Sequence, residues 1–349
     1  MKSKSFNPES TMINEKYQSI DYHTAGEPFR IITDLPVALE GVDVPAKRVF
    51  AMNDPRVERI RKILCFEPRG HADMYGGFIT EPNDAGAHFG VLFWHKDGFS
   101  TACGHGTIAL GIWAIEHGRV QADPSGITDV VIDVPSGRVI SRVHTDQAGL
   151  VTHAEFINVA SYVLATDVAV HTALGEVSVD VTFGGAIYAQ LDAASVGLRV
   201  TPENYAKIIE IGRDIKWALN ESIYAQHPSD PRLSGVYGTI VFEDLSVGSE
   251  VIQRNATVFA DGEVDRSPCG SGTSARVATL TERGVLAAGQ VLKHGSIVGS
   301  TFTAAALEQL VVEGRQGVIP QVTGTAFQTG KHTFVIDPRD DLTPGFVLR

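Results

Sequence analysis

Short apolar stretches, rich in β-branched and aromatic residues and bounded by Gly, Pro or Asp, recur along the chain. They predict strands at Pro28 to Thr33, Phe78 to Thr80, Gly90 to Trp94, Asp129 to Val134, Glu176 to Thr182, Tyr237 to Phe242, Ala256 to Ala260 and Thr333 to Ile336. Four helices are predicted between them. Asp54-Pro55 opens one, with Asp as cap and Pro at the first helical position, and Val57, Ile60 and Leu64 fall on one face. Thr201-Pro202 opens a second that runs to about Asn220 on a stripe of Ile208, Ile211, Ile215 and Leu219. The other two follow Cys103 and Cys269. Many strands with few helices predict an α+β protein.

The chain of 349 residues is long enough for two domains, each with its own core. Its net charge of −12 argues against nucleic acid or an anionic membrane as partner, since both attract basic patches. No apolar run reaches the roughly 18 residues of a membrane span. The polar start, MKSKSFNPESTMINEKYQ, lacks the apolar stretch of a signal peptide, so a cytoplasmic protein is expected. The three cysteines, Cys65, Cys103 and Cys269, do not make a disulfide framework, and no CxxC or HExxH metal motif occurs. The 35 glycines point to tight turns or to backbone brought close to a small ligand.

An internal repeat changes the picture. CGHGTIALGIWAIEHG (103–118) aligns with CGSGTSARVATLTERG (269–284) at seven of 16 positions, and each copy follows a strand and an Asp-Gly turn. The turn precedes Cys103 by six residues and Cys269 by eight. A fainter echo pairs residues 21–26 with 180–185. Two similar halves are expected, 17–160 and 161–334, facing each other about a pseudo-twofold axis with a ligand between them.

In each copy Cys-Gly-x-Gly-Thr opens a helix. The glycines leave uncovered N–H groups where the helix dipole is positive, an anion site suited to one carboxylate. The same field is expected to lower the pKa of a cysteine there. Two facing copies supply two thiols for one carbon acid: one removes a proton, the other returns one from the opposite face, and the donors absorb charge building on the carboxylate. Cys65, on an apolar helix face, reads as a core residue. His105, beside Cys103, reads as a substrate contact. Asp265 reads equally as a solvated loop carboxylate or as the partner of a cationic amine, and the stretches Glu67 to His71 and Met74 to Gly77 equally as a structured turn or as part of the site.

At these residues the chain resembles the proline racemase superfamily, through DYHTAGEP (21–28), EPRGHADMYGG (67–77), ACGHGT (102–107), FGGAIY (183–188), DRSPCGSGTSAR (265–276) and the closing PGFVLR (344–349). The resemblance implies a fold like that of diaminopimelate epimerase, two α/β halves each with a curved sheet around a central helix, with the C-terminal segment 335–349 returning to complete the first half. It also implies two-base chemistry without cofactor or metal, usually in a homodimer, on an imino acid substrate. Carried across by motif, Cys103 and Cys269 become the acid/base pair. Backbone amides at Gly104, His105, Gly270 and Ser271 would hold the carboxylate, and Asp265 and His105 would meet the ring amine or a ring hydroxyl. Tyr75, Phe99, Tyr188 and Phe259 are candidates for the pocket wall.

Dehydratases of the superfamily typically carry Thr at the second cysteine, so Cys269 favours inversion of proline or a hydroxyproline at Cα. The segments flanking Cys103 and the C-terminus are similar to animal-type trans-3-hydroxy-L-proline dehydratases, and Ala102 departs from the MCGHGT usual in bacterial 4-hydroxyproline epimerases. Dehydration of trans-3-hydroxy-L-proline is thus the second expectation. A dithiol redox protein is a remote third.

Overall fold

The computed structural model describes residues 15–348; the first 14 residues of the polar lead-in and Arg349, the last residue of the PGFVLR motif, lie outside them. The described residues begin with β1 (Glu15–Thr24) and β2 (Glu27–Ile32), then α1 (Val44–Asn53) and α2 (Pro55–Cys65). β3 (Gly76–Thr80), β4 (Phe89–His95) and the short β5 (Gly98–Phe99) lead into α3 (Gly104–Glu116), followed by β6 (Ile127–Val134), β7 (Gly137–Thr145) and β8 (Val151–Ile157). Helix α3 packs against β1, β2, β6, β7 and β8. It is apolar on every side, with Ile108, Leu110, Ile112 and Trp113 all buried, as a helix enclosed by sheet must be.

The plan then recurs. β9 (Ser161–Thr172), β10 (Gly175–Phe183), β11 (Ile187–Asp192), α4 (Tyr205–Asn220), β12 (Val236–Asp244), β13 (Val251–Phe259) and β14 (Glu263–Val264) precede α5 (Gly270–Glu282). β15 (Leu292–Ser296), β16 (Thr301–Val312) and β17 (Arg315–Gly324) follow it, and α5 packs on β9, β10, β16 and β17. Each buried helix is thus entered from a tight antiparallel pair, β4 with β5 (Trp94↔Phe99) and β13 with β14 (Phe259↔Glu263). Helix α5 buries more polar side chains than α3, among them Ser271, Thr273, Ser274, Arg276 and Thr279 against His105 and Thr107, and these five have partners. Arg276 binds Gln190 and Gln253 and lies 3.8 Å over the Phe242 ring, and Thr273 meets His294 at 2.8 Å.

β17 joins the two sheet systems, pairing with β16, with β8 (Gln321↔Ile157) and with β9 (Gly317↔Tyr162). β18 (Ala326–Ile336) returns to β1 along its whole length, from Glu15↔Ile336 to Thr24↔Ala326, and also packs on α3. This return runs from Ala326, ahead of the 335 read from the sequence.

The eight predicted strands and four predicted helices are present, with two differences. Pro202–Asn204 form a turn of 3-10 helix, so α4 itself starts at Tyr205. Helix α1 has no counterpart among the predictions because its buried face is Val44, Lys47 and Ala51, a stripe interrupted by a charge. The Lys47 ammonium reaches the Glu81 carbonyl at 2.8 Å, and Asp43 caps the helix by accepting from the Ala46 N–H. Among the described residues no helix is long and apolar enough to cross a membrane.

Candidate active site

The N-termini of α3 and α5 meet. A Cβ built on Gly104 would stand 2.5 Å from Gly270 Cα and 2.7 Å from the Ser271 amide nitrogen; one on Gly270 would stand 2.6 Å from Gly104 Cα and 3.1 Å from the His105 nitrogen. Only glycine permits this approach, which brings two positive helix ends and the amides of His105 and Ser271 to one point.

Cys103 and Cys269 are the residues preceding these helices, and each thiol folds back on its own helix start. The Gly106 N–H donates to Cys103 Sγ at 3.2 Å, and the Gly272 N–H donates to Cys269 Sγ at 3.4 Å. Both sulfurs line one small, tightly closed cavity between the helix ends. Its walls include Tyr75, Gly104, His105, Tyr188, Phe259, Asp265 and Ser271, as read from the sequence, together with Ala102 and Tyr237. Gly270 stands behind the wall, against Gly104. Phe99 does not line this cavity: it sits on β5, packs on Phe78 in the core of the first half and borders a neighbouring pocket.

The backbone is not symmetric. Cys103 is extended at φ −155°, whereas Cys269 has φ +63° and ψ 104°, a left-handed conformation that costs a β-carbon residue about 1–3 kcal/mol. The strain is held by Ser267, whose hydroxyl accepts from the Cys269 N–H at 3.0 Å and donates to Asp265 at 2.7 Å.

Asp265 is buried, accepts from the Ser267 N–H at 2.8 Å, and its other oxygen lies 3.9 Å from His105 Nδ1. His105 Nδ1 is also 3.5 Å from Cys103 Sγ. Burial holds this imidazole below its ordinary pKa, so its neutral form faces the cavity. On the opposite side Tyr188 shares a 2.7 Å hydrogen bond with Ser271 and stands 3.8 Å from Cys269 Sγ. Tyr75 bonds Ser100 at 2.5 Å and Tyr237 at 3.0 Å.

The sequence expectation that helix ends lower the thiol pKa values needs correction. Burial raises both thiols above the ordinary range; the Gly106 and Gly272 amides pull down, while the Asp265 carboxylate pushes up. Desolvation of a closed, anionic cavity outweighs the helix field.

Sequence reading assigned neither Tyr237 nor Glu27 to the site, and noted Ala102 only as a departure from MCGHGT. Glu27 is fully buried, accepts from the Arg266 N–H at 2.7 Å, and is pushed well up by burial and by Asp265. It ties β2 to the loop that carries Asp265. Its place in the DYHTAGEP motif was the available signal; Tyr237 has no fixed spacing to either cysteine. The polar stretch 67–77 reaches the site at Tyr75 and, through Asp73, at the Val264 N–H (3.2 Å) and Arg266 (2.8 Å). Cys65 is buried in α2 with its thiol toward the Met74 carbonyl at 3.5 Å.

Two clusters among the described residues bring possible metal ligands together, His144 with His153 and Glu155, and His95 with Asp97 and Glu263. In the second, Lys96 Nζ already stands 2.8 Å from Asp97 and 4.0 Å from Glu263.

Residues 19–347 match the family model described as proline racemase. A trans-3-hydroxy-L-proline dehydratase of Bacillus thuringiensis subsp. konkukian is 41% identical over 96% of this chain and 99% of its own. A 3-hydroxyproline 2-epimerase of Burkholderia multivorans is 42% identical over 97% of this chain and 99% of its own. Among solved structures, a hydroxyproline epimerase from Agrobacterium vitis with bound trans-4-hydroxy-L-proline is similar with a TM-score of 0.88, at 30% identity, covering 95% of this chain and 96% of that one. A Bacillus anthracis protein of the PhzF family shares the fold, with a TM-score of 0.56 at 12% identity over 92% of this chain and all of that one.

Proposed function

This chain belongs to the proline racemase family, and on that premise we propose that it inverts the Cα of a hydroxyproline with two thiols and no cofactor. One observation carries the reading: Cys103 and Cys269, from opposite helix starts, line the same small cavity. The substrate carboxylate is received by the amides of His105 and Ser271 where the two helix ends meet, and the ring ammonium by Asp265.

A thiolate on one side takes the Cα proton, and the electron pair moves into the carboxylate, where the amide donors stabilise it. The thiol on the other side delivers its proton to the opposite face of Cα. The sulfurs exchange protonation states, and the reverse reaction resets them. Because burial raises both thiols, the cationic ring nitrogen has a further part. By offsetting the Asp265 charge it lowers the cost of the thiolate once substrate is bound.

The test is incubation in deuterated water with the stereoisomers of proline, 4-hydroxyproline and 3-hydroxyproline. Deuterium gained at Cα while optical rotation decays is expected, and no exchange with any of them removes the reading.

A second reading, dehydration of trans-3-hydroxy-L-proline, is favoured by the dehydratase relatives and by the paired hydroxyls of Tyr75 and Tyr237 in the cavity. There a thiolate takes the Cα proton, the C3–O bond breaks, and a hydroxyl proton leaves with the hydroxide as water. The remaining enamine tautomerises to a cyclic imine. Borohydride trapping as proline distinguishes this outcome. The same proposal includes two halves dividing near residue 160 that close over the substrate, a homodimer, and a cytoplasmic location.

A further inference from the structure

Beside the thiol cavity lies a larger pocket of about 410 Å³. Arg48 of α1 and Lys216 of α4 reach it from opposite sides of the chain's repeat. Tyr237 lines both spaces, and the partition between them is a chain of hydroxyls, Ser100 to Tyr75 at 2.5 Å and Tyr75 to Tyr237 at 3.0 Å. Of the residues walling the inner cavity all are buried except Tyr237, which is half-buried, so a substrate must cross a wall to arrive, and the hydroxyl partition at Tyr237 faces open volume.

The charges of the outer pocket are unequally satisfied. Asp97 already holds Lys96 at 2.8 Å, and Asp261 holds Arg213 at 2.9 Å and the Trp217 indole N–H at 3.0 Å. The two cations have no carboxylate partner within 4 Å among the described residues. Arg48 gives Nε and Nη2 to the Phe99 carbonyl and Nη1 to the Arg232 carbonyl at 3.2 Å, leaving two N–H groups of its five unused. Lys216 gives one of its three N–H groups to the Ala260 carbonyl and lies 4.6 Å over the Trp217 ring. A half-buried guanidinium and an ammonium only 8% exposed, with donors to spare, are costly unless an anion visits.

We propose that this pocket is an outer binding station for the carboxylate of the incoming imino acid, which Arg48 and Lys216 hold before the Tyr75–Tyr237 partition opens. The inference rests on the imino acid reading above. It also answers a physical problem: a chain of net charge −12 repels a carboxylate, and a local cationic pair reverses that at the entrance.

Steady-state kinetics test it. Arg48→Met and Lys216→Met are each expected to lower kcat/KM about ten-fold with kcat within about two-fold of the parent, and Arg48→Lys to restore most of the loss. Raising salt from about 50 to about 500 mM should lower kcat/KM of the parent and leave the double Met variant unchanged. A loss confined to kcat, or kcat/KM within two-fold of the parent for both variants, overturns the proposal.

Trp217, 50% exposed at this pocket while Trp94 and Trp113 are buried, supplies a readout that does not depend on turnover. Titration with L-proline should change its fluorescence in the parent and not in Lys216→Met, with Trp217→Phe as the blank. If the enzyme turns over no proline-type substrate, the functional reading fails, and this titration still decides the station. A response to acetate with none to L-proline overturns it.

Discussion

A Cβ on Gly104 would stand 2.5 Å from the Cα of Gly270, so the two helix starts touch backbone to backbone. Everything chemical in the site depends on that contact, because it sets how closely two thiols and two sets of amide donors converge.

Gly104→Ala and Gly270→Ala should therefore separate α3 from α5. We expect a loss of about 100-fold or more in kcat/KM and about 1–3 kcal/mol of stability, since the clash is with backbone that cannot rotate away. Turnover assays and thermal melts check this. An Ala variant with native activity would show that the helix ends move apart at no cost.

Replacing one sulfur leaves one face served. Cys103→Ser and Cys269→Ser should each lose stereoinversion by about 1,000-fold or more, within the range of a missing general acid or base. Each variant should retain slow Cα deuterium exchange from a single enantiomer, and the two should favour opposite enantiomers. Mass spectrometry on resolved enantiomers reads the result; equal exchange from both by one variant would contradict the two-face assignment.

Thiol reactivity should follow burial rather than the helix field. Because both pKa values are raised, the thiolate fraction of the free protein near neutral pH is below that of an exposed cysteine. Iodoacetamide inactivation should climb with pH and inflect above about 9, past the ordinary thiol value, with substrate protecting. An inflection below pH 8 would mean that the helix ends dominate after all.

Glu263 offers a test of stability. It is fully buried, neither carboxylate oxygen has a hydrogen-bond partner, and burial raises its pKa well above the ordinary 4.5. A raised folded-state pKa means that the folded protein binds the proton more tightly than the unfolded chain. Stability tied to this group is complete below pH 4.5 and is lost as pH rises through the folded value. Glu263→Gln removes that loss, so its melting temperature should exceed the parent's by about 2 °C or more at pH 8, with little difference at pH 4.5. A less stable variant at pH 8 would show that His95 at 3.3 Å and Lys96 at 4.0 Å outweigh the cost of burial.

How far the sequence discloses this molecule depends on the range of each signal. The Cys-Gly-x-Gly-Thr repeat is local, and it located both thiols and both helix starts, whereas the contact of Gly104 with Gly270 is made only by the folded chain. Asp54-Pro55 is equally local and placed α2. Tyr237 enters the cavity only through the pairing of β12 with β13, and no spacing along the chain announces it. Phe99 was named as a candidate for the wall, yet the fold packs it on Phe78 in a core that no local spacing discloses. The thiol pKa values were misjudged for a related reason: the helix field is visible in the motif, whereas desolvation depends on Tyr75, Tyr188 and Phe259 arriving from distant strands. Helix α1 escaped because Lys47, a charged residue, occupies its buried face.

The partnership of β1 with β18 has a consequence for biosynthesis. Tyr17 lies against Phe334 and Thr24 against Ala326, so a strand synthesised early waits for one synthesised late. Until then one edge of an early, partly apolar strand stands open to neighbouring nascent chains, and only the arrival of its mate seals it. Folding during translation can complete the later sheet first, and the earlier one is finished last.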